Sequence, residues 1–432
     1  MPSQSSPRQA APAPSSPPSR STLLSRLPSL TGMRFVAAVM VFFFHSSLTT
    51  EPPLNPFSGT ASDIYHSVFT KTGWIGVSFF FILSGFVLTY SAKADDTPRR
   101  FMRRRLVKLY PNHVVSWALA MVLFAGATAT WRQWLPNLLL VQTWIPRYDT
   151  FLSINPPSWS LSCEVIFYLS FPLLHRWIKK IDPARLWAWA AGVVAVVTLI
   201  PAVAYVALPD GTMSNGFPVS DWQYWVVYML PPVRTLEFVL GILMARIVLS
   251  GRWINLRLLP AAALLVVGYA VANVVPWLFS LNAAALIPLA LLIPAAATTD
   301  LSGRRSPFRG RVMLWLGEVS FAFYMVHGVV MIYFRSLLGY TELYSTPVGI
   351  GVIALYMGLS LAVAWLLHTV VETPMMRRFS RPRRRTPQSA TARSTDLRIT
   401  EAPIDGMRDD ASARAVARTE EKATAGSGAS GA

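Results

Sequence analysis

Long apolar segments repeat along most of this chain and restrict the folds that it can adopt. Because the backbone of a membrane-spanning segment must satisfy its own hydrogen bonds, such segments predict α-helices. The expected fold is all-α, a polytopic bundle of about ten transmembrane helices embedded as a multi-pass protein in the lipid bilayer of the cell membrane. The segments that are long enough to cross, or nearly cross, a hydrocarbon core of about 30 Å lie near residues 32–50, 73–91, 113–130, 160–177, 187–207, 222–247, 258–275, 277–297, 312–337 and 347–371.

The two ends of the chain differ in composition from the apolar part. Residues 1–30 are rich in serine and proline, and residues 377–432 join an arginine-rich stretch to small and polar residues. Neither end carries enough apolar side chains to form a core, so both are expected to be disordered tails. The sequence therefore predicts a transmembrane domain at 31–376 between these two tails.

Positive charge is unevenly distributed among the segments that connect the apolar runs. If the N-terminus is cytoplasmic, the opposite side carries little positive charge beyond Lys71, Arg132 and Arg147. Cytoplasmic loops carry such an excess of arginine and lysine, so both termini are expected in the cytoplasm. The net charge of +18 is then explained by the anionic inner membrane surface, and no nucleic acid is expected as a partner. The single cysteine, Cys163, excludes a disulfide framework and a cysteine metal cluster.

The first apolar segment contains two ionisable residues, Arg34 and His45. An ionisable side chain in hydrocarbon is costly and is by default a hypothesis of a functional site. Their separation of eleven residues puts both on one face of a helix, about 16 Å apart along its axis. Arg34 is expected near the cytoplasmic mouth and His45 in the outer half. The alternative is an arginine that snorkels to the interface and a histidine that is hydrogen bonded in a packed bundle.

A dense cationic cluster, RRFMRRRLVKLYPNH, precedes the third apolar segment. It contains Arg105 and Lys108, and the Tyr110–Pro111 step is expected to break the helix after it. Such a cluster either anchors the topology of the chain or binds an anion, because guanidinium groups match phosphate oxygens well. The residues alone favour both interpretations equally.

The fourth segment begins with NPPSWSLSCEVIFYLS, in which Glu164 falls about one turn inside the outer end. This depth resembles that of His45, so the two residues are expected to meet across adjacent helices. A carboxylate beside an imidazole would hold its tautomer and raise its basicity. The alternative for Glu164 is a structural ion pair or an interfacial carboxylate.

Two further segments carry polar residues near mid-bilayer. Arg234 and Glu237 in the sixth segment are spaced to pair on one helix face, and a structural pair is at least as well favoured as a contact with substrate. In the ninth segment, Ser320, Tyr324 and His327 are spaced to form one wall. The alternative for His327 is a buried, hydrogen-bonded histidine without a catalytic role.

Together these segments resemble the integral-membrane acyltransferase 3 family, bacterial O-acyltransferases that include glycan and macrolide O-acetyltransferases. The resemblance covers residues 28–379. Lys108 stands where the family has a second arginine, and Val165 stands where many members have a second acidic residue. The resemblance rests on Arg34 and His45, on RLVKLYP at 105–111, on NPPSWSLSCEVIFYLSFPL with Glu164, and on PPVRTLEFVLG, LGEVSFAFYMVH and VETP at 371–374.

The resemblance implies transfer of an acyl group, acetyl being the expected one, from cytoplasmic acyl-CoA to a hydroxyl of a glycan or a glycosylated small molecule. In this interpretation His45 is a general base or a transient acyl carrier, and Glu164 orients it. Acyl-CoA, with acetyl-CoA expected, is the co-substrate, and neither a tightly bound cofactor nor a metal is expected. The remaining implied roles are binding of the acyl-CoA phosphates by Arg34, Arg105 and Lys108, and lining of the substrate cavity by Arg234, Tyr324 and His327.

Two other classes of protein also place ionisable residues in the membrane. A secondary transporter or exporter does so at mid-bilayer, but such proteins more often consist of inverted repeats, and this chain shows no convincing internal repeat. A non-catalytic membrane scaffold would not need His45. The sequence leaves open the acceptor, the acyl chain length, the side of the membrane on which the acceptor is modified, and whether transfer is direct or passes through an acyl-enzyme.

Overall fold

A computed structural model describes residues 27–50, 52–93, 96–213 and 215–379. These residues form an all-α bundle, as the apolar segments predict. Residues 1–26 and 380–432, and with them most of both predicted tails, lie outside the described residues. The first described helix begins at Pro28 and the last ends at Phe379, so the helical part extends slightly beyond the predicted domain at each end.

Eleven longer helices make up the bundle, and every predicted apolar segment overlaps at least one of them. Shorter helical turns, among them Trp131–Leu138, Tyr148–Phe151, Asp221–Tyr224 and Thr373–Phe379, connect or extend them. The longer helices are α1 (Pro28–Ser46), α2 (Gly59–Phe69), α3 (Thr72–Tyr90), α4 (Pro98–Leu123), α5 (Trp159–Ile178), α6 (Leu186–Ala207), α7 (Pro231–Leu249), α8 (Leu258–Ala272), α9 (Ala283–Leu301), α10 (Arg311–Leu338) and α11 (Thr346–Leu367).

Seven helical segments of the described residues are long and apolar enough to cross a membrane. Helices α5 and α7 have comparable lengths of 20 and 19 residues but contain more polar and charged side chains, and α8 has only 15 residues. The number of about ten crossings and the cytoplasmic location of both termini therefore stay predictions. The seven segments are Pro28–Ser46, Gly59–Tyr90, Pro98–Leu123, Pro183–Ala207, Trp277–Leu301, Arg311–Leu338 and Thr346–Phe379.

Glycines bring the backbones of the central helices into contact. A Cβ atom built on Gly85 of α3 would lie 2.0 Å from the carbonyl oxygen of Phe238, and one built on Gly241 of α7 would lie 2.0 Å from that of Ile82. On α10, a Cβ at Gly317 would lie 2.1 Å from the carbonyl oxygen of a residue in α1. Small residues permit such close approach in membrane bundles, so α1, α3, α7 and α10 form the centre of the fold.

Helix α4 corrects one prediction about the cationic cluster. The Tyr110–Pro111 step does not break the helix, because α4 runs without interruption through Pro111. A proline removes one intrahelical hydrogen bond, but membrane helices tolerate it where neighbouring helices cover the site. The cluster therefore lies on the first turns of a helix, where Arg105 and Lys108, three residues apart, share one face.

Helix α5 begins inside the bundle and not at its surface. Pro157, Ser158 and Trp159, at its start, are all buried. The ring of Pro157 packs over Gly328 of α10, where a Cβ atom would lie 3.3 Å from the proline Cδ. The connection between α4 and α5 thus folds inward, and every residue of α5 lies deeper than a start at the surface would put it.

Candidate active site

Three adjoining cavities follow α1 through the bundle. The first, here called the cationic cavity, lies at the amino end of α1 and includes Arg34. The second, the histidine cavity, lies at the carboxyl end of α1 around His45. A third, the connecting cavity, shares Arg34 with the first and Tyr324 with the second. The two residues that the sequence put on one helix face therefore line one continuous series of cavities.

The cationic cavity combines three cations from two helices with one carboxylate. Arg34 of α1 and Arg105 and Lys108 of α4 line it together with Glu164 and Tyr168 of α5. The carboxylate of Glu164 accepts a hydrogen bond of 2.6 Å from the Tyr168 hydroxyl. In the part of the chain that the structure describes, none of the three cations has an acidic oxygen within 4.0 Å. Three cations against one carboxylate make this cavity suited to an anion.

Buried hydrogen-bond donors also favour binding of an anion in the cationic cavity. The Nε atoms of Arg34 and Arg105 are buried and have no hydrogen-bond partner among the described residues. A buried donor without an acceptor is costly, and an anionic ligand would supply the missing acceptor. Helix α4 is held in place one turn beyond Lys108, where the Asn112 side chain donates a 2.8 Å hydrogen bond to the buried carboxylate of Glu372.

The histidine cavity has a volume of about 220 Å³ and is lined mainly by aromatic side chains. Its polar lining includes His45, Thr50 and Asn215. Aromatic walls with a few polar groups are typical of small-molecule sites. Sequence reasoning did not find most of these aromatic residues, because they come from separate helices and loops and look individually like bundle core or interface residues. The aromatic lining consists of Phe44, Trp74, Tyr148, Trp159, Phe217, Tyr224, Tyr228 and Tyr324.

His45 pairs with a second histidine. Its Nδ1 lies 3.0 Å from Nε2 of His327 on α10, and Nδ1 of His327 lies 3.2 Å from the carbonyl oxygen of Phe323. His327 is completely buried and packs against aromatic rings, whereas His45 lines the cavity. His327 is therefore a direct neighbour of the candidate base and not a separate part of the cavity wall.

The predicted contact between Glu164 and His45 is wrong. Glu164 hydrogen bonds to Tyr168 and lines the cationic and connecting cavities, while His45 lines the histidine cavity. The physical reason is the inward start of α5: Pro157 packs at the level of Gly328, next to His327. Glu164 is seven residues further along the helix, about 10 Å deeper, where it lines the cationic and connecting cavities together with Arg34.

Arg234 also differs from its predicted role as a residue that lines the substrate cavity. It is completely buried and does not line any of the three cavities. Its guanidinium forms the expected ion pair with Glu237, at 3.0 Å, and its Cζ lies 4.7 Å from the centre of the Tyr228 ring and 5.0 Å from that of Phe81. Arg234 therefore stands behind an aromatic residue of the histidine cavity and stabilises the wall from outside.

Tyr324 lies at the junction of the connecting and histidine cavities, as its place on the predicted wall suggests. Its hydroxyl is 2.9 Å from the Ser160 hydroxyl and 3.2 Å from the carbonyl oxygen of Pro157. Ser320, one turn away on α10, lines the connecting cavity. Ser320 and Tyr324 thus line the connecting cavity together, whereas His327, the third residue predicted for this wall and for the substrate cavity, lines none of the three cavities.

Arg335 is a residue of this region that sequence reasoning missed. It is completely buried and donates hydrogen bonds to the carbonyl oxygens of Pro53, Tyr340 and Glu342, at 3.0, 3.0 and 2.7 Å. It thereby holds the loop that follows α1, in which Pro52 lines the histidine cavity. From the sequence, an arginine near a helix end looks like an interfacial residue, so no signal marked it.

Comparison with known proteins agrees with this architecture. Residues 27–369 match the family model described as "Acyltransferase domain". The chain is 43% identical over 370 residues to acyltransferase MdmB of Streptomyces mycarofaciens, covering 83% of this chain and 94% of that protein. It is 23% identical over 217 residues to "Putative acetyltransferase ORF330" of Acidianus two-tailed virus, and the match covers 48% of this chain and 53% of that protein. No solved structure gave a significant match.

The apolar helices together with the acyltransferase matches identify the protein as an integral-membrane enzyme. The chain belongs to the acyltransferase 3 family, and it is an O-acyltransferase held in a membrane by several helices.

Proposed function

We propose that the protein transfers an acyl group from acyl-CoA, bound at the cationic cavity, to a hydroxyl of an acceptor bound in the histidine cavity. Acetyl is the expected acyl group, and a glycan or a glycosylated small molecule is the expected acceptor. The observation that carries the proposal is the series of cavities that runs from three cations without an acidic partner among the described residues to a histidine. Under the predicted topology, the donor enters from the cytoplasmic side.

The cationic cavity supplies what the phosphates of acyl-CoA require. Arg34 and Arg105 offer planar guanidinium groups that bind phosphate oxygens in pairs, and Lys108 adds a compact charge. Because these cations lack an acidic partner among the described residues, their charge is available to a ligand. Glu164 offsets part of this charge and thereby limits how tightly the donor is held.

The connecting cavity lies on the route that the slender pantetheine arm of acyl-CoA would follow, and its lining side chains would have to move apart to admit the arm. Arg34 and His45 lie about 16 Å apart along α1, a distance that an extended arm spans. The connecting cavity has a volume of only about 30 Å³, so a nucleotide would be retained at the cationic end. The thioester would then lie close to Tyr324 and His45, where the connecting and histidine cavities join.

In the histidine cavity, His45 would act as the general base. As the acceptor hydroxyl attacks the thioester carbonyl, the new C–O bond forms, His45 accepts the hydroxyl proton, and the C–S bond then breaks. The imidazolium returns that proton to the departing thiolate, so the enzyme ends in its starting state. The aromatic faces of Trp74 and Tyr228 would pack against apolar faces of the acceptor, while Asn215 would bind one of its polar groups.

The test is transfer of radiolabel from acetyl-CoA in membranes that contain the protein, with acceptors identified by mass spectrometry of acylated products lost on gene deletion. His45→Ala should lower turnover by roughly 10²–10⁴-fold, the usual contribution of a general base. His175→Ala is the matched control, because His175 lines none of the three cavities. Wild-type transfer by correctly inserted His45→Ala would overturn the assignment of the base.

The donor site is tested by a pair of substitutions on one helix. Arg105→Ala should weaken apparent acyl-CoA affinity more than it slows saturated turnover. Arg104→Ala is the control, because Arg104 forms an ion pair with Asp96 and does not line the cavity. Glu164→Gln removes the one carboxylate among the cations and should tighten acyl-CoA binding. Equal affinities for the Arg104 and Arg105 variants would contradict the proposed donor site.

A further inference from the structure

A chain of hydrogen bonds determines which nitrogen of His45 carries its proton. We propose that His327 is the positioning residue that holds His45 in the tautomer with a free Nε2 lone pair, the form in which it can act as a base. The inference rests on the proposed function, and it adds a residue whose effect on the reaction passes through His45.

The first step concerns the proton of His327. Its Nδ1 lies 3.2 Å from the carbonyl oxygen of Phe323, and a carbonyl oxygen can only accept a hydrogen bond. Nδ1 of His327 must therefore carry the proton. In the described residues, no acidic oxygen lies within 4.0 Å of His327, and the ring is stacked on Phe323 at a centroid distance of 5.8 Å. A completely buried imidazole in such surroundings is neutral, so its Nε2 has a lone pair.

The second step passes this constraint to His45. Nε2 of His327 lies 3.0 Å from Nδ1 of His45. Because Nε2 of His327 is an acceptor, Nδ1 of His45 must be the donor, and the lone pair of His45 is on Nε2. The opposite tautomer of His45 would bring two lone pairs together at this distance and leave both without a proton.

The third step concerns the direction of the lone pair. His45 lines the histidine cavity, whereas His327 does not. With Nδ1 of His45 turned towards His327, its Nε2 is at the opposite edge of the ring and is available to the acceptor hydroxyl. When Nε2 takes the hydroxyl proton, the Nδ1–H of the resulting imidazolium still donates to His327, and this hydrogen bond stabilises the new charge. With His45 in the other tautomer, an N–H would face the hydroxyl and no proton could be accepted.

Two substitutions at one position separate this role from packing. His327→Phe keeps an aromatic ring beside Phe323 but removes the acceptor, whereas His327→Gln supplies an amide oxygen that accepts from Nδ1–H of His45. We expect His327→Phe to lower kcat by roughly 10–100-fold, the range that is usual when a residue that orients a metal-bound histidine is removed. KM for acetyl-CoA should be unchanged, because the cationic cavity is at the other end of α1. His327→Gln should recover most of the lost kcat.

A spectroscopic measurement tests the tautomer itself in the full-length wild-type protein. The chain contains six histidines, so ¹⁵N NMR of protein labelled at histidine, with the His45 signals identified by their loss in His45→Ala, reports which nitrogen is protonated. We expect protonated Nδ1 and free Nε2 for His45 in the wild type, and a mixture of tautomers in His327→Phe. Protonated Nε2 in the wild type would overturn the inference even if the His327 variants fail to fold.

The outcomes also separate this inference from the proposed function. If His45→Ala retains full transfer, the general base is wrong and with it the role of His327. If His45→Ala is inactive but folded His327→Phe has wild-type kcat, the base stands and only the positioning role of His327 is refuted. Loss of kcat in His327→Phe without recovery in His327→Gln would mean that the acceptor atom is not what matters, and this too overturns the inference.

Discussion

Alanine at Gly85 or Gly241 should destabilise the bundle at the contact between α3 and α7. At each position the added Cβ would lie 2.0 Å from a carbonyl oxygen of the opposite helix, whereas carbon and oxygen atoms in ordinary contact are about 3.3 Å apart. Relief requires that the two backbones separate by roughly 1 Å, because a backbone carbonyl cannot rotate away as a side chain can. Overpacking usually costs about 1–3 kcal/mol, and we expect the upper end of that range.

The assay is thermal unfolding of the detergent-solubilised protein, with Gly192→Ala as the matched control. Gly192 lies within α6, and a Cβ there would meet nothing within 4 Å. Alanine at that position should leave stability unchanged or raise it by up to about 1 kcal/mol, since alanine is the better helix former. The Gly85→Ala/Gly241→Ala double variant should lose less than the sum of the single variants, because one separation relieves both clashes.

Two results would refute this reasoning. Unfolding of Gly85→Ala at the wild-type temperature would show that the helices separate without cost. Equal destabilisation by Gly192→Ala would mean that any added methyl group is harmful, whatever it contacts. The separation should also lengthen the Ser78–Glu237 hydrogen bond of 3.0 Å between the same helices, which adds to the loss of stability.

Three further substitutions test buried or half-buried charges, each by thermal unfolding in detergent. Arg335→Met removes three hydrogen bonds to backbone carbonyls and should cost about 3 kcal/mol; a stability equal to wild type would show that water replaces them. Glu237→Gln leaves the Arg234 charge buried without its partner and should lower the free energy of unfolding by about 3–5 kcal/mol. If it lowers that free energy by less than Asp300→Asn does, the argument is contradicted. The carboxylate of Asp300 accepts hydrogen bonds from the backbone N–H and the hydroxyl of Ser29, both shorter than 2.9 Å. Asp300→Asn weakens these hydrogen bonds and should lower the free energy of unfolding by only about 1 kcal/mol. No loss of stability would show that the charge is irrelevant there.

The helical character of the chain was predictable because it depends on local composition. Each apolar segment is long enough to form a helix by itself, and membrane surroundings leave its backbone few alternatives. The placement of Arg34 and His45 on one face was predictable for the same reason, since helical geometry alone relates two residues of one segment. Both now line one series of cavities.

The relation between residues of different helices was less predictable. The depth of Glu164 depends on how far α5 starts inside the bundle, and this is decided by the packing of Pro157 on Gly328, which no pattern within either segment encodes. The pairing of His45 with His327 likewise depends on the approach of α1 to α10. Helical spacing relates His327 to Tyr324 within α10, but it could not indicate that His327 meets His45 instead of lining a cavity.

The connecting cavity has a consequence for the membrane that contains the protein. Its volume of about 30 Å³ makes it the smallest of the three cavities along α1. A wide aqueous passage between two compartments would conduct protons and dissipate the membrane potential, which is worth about 2.3 kcal/mol per elementary charge at 100 mV. Here the connecting cavity is lined by Phe80, Phe321 and Tyr324 beside the positive charge of Arg34, and such a charge repels cations from a pore. A small cavity between the two larger ones thus keeps the two ends of α1 apart and helps the membrane to remain electrically insulating.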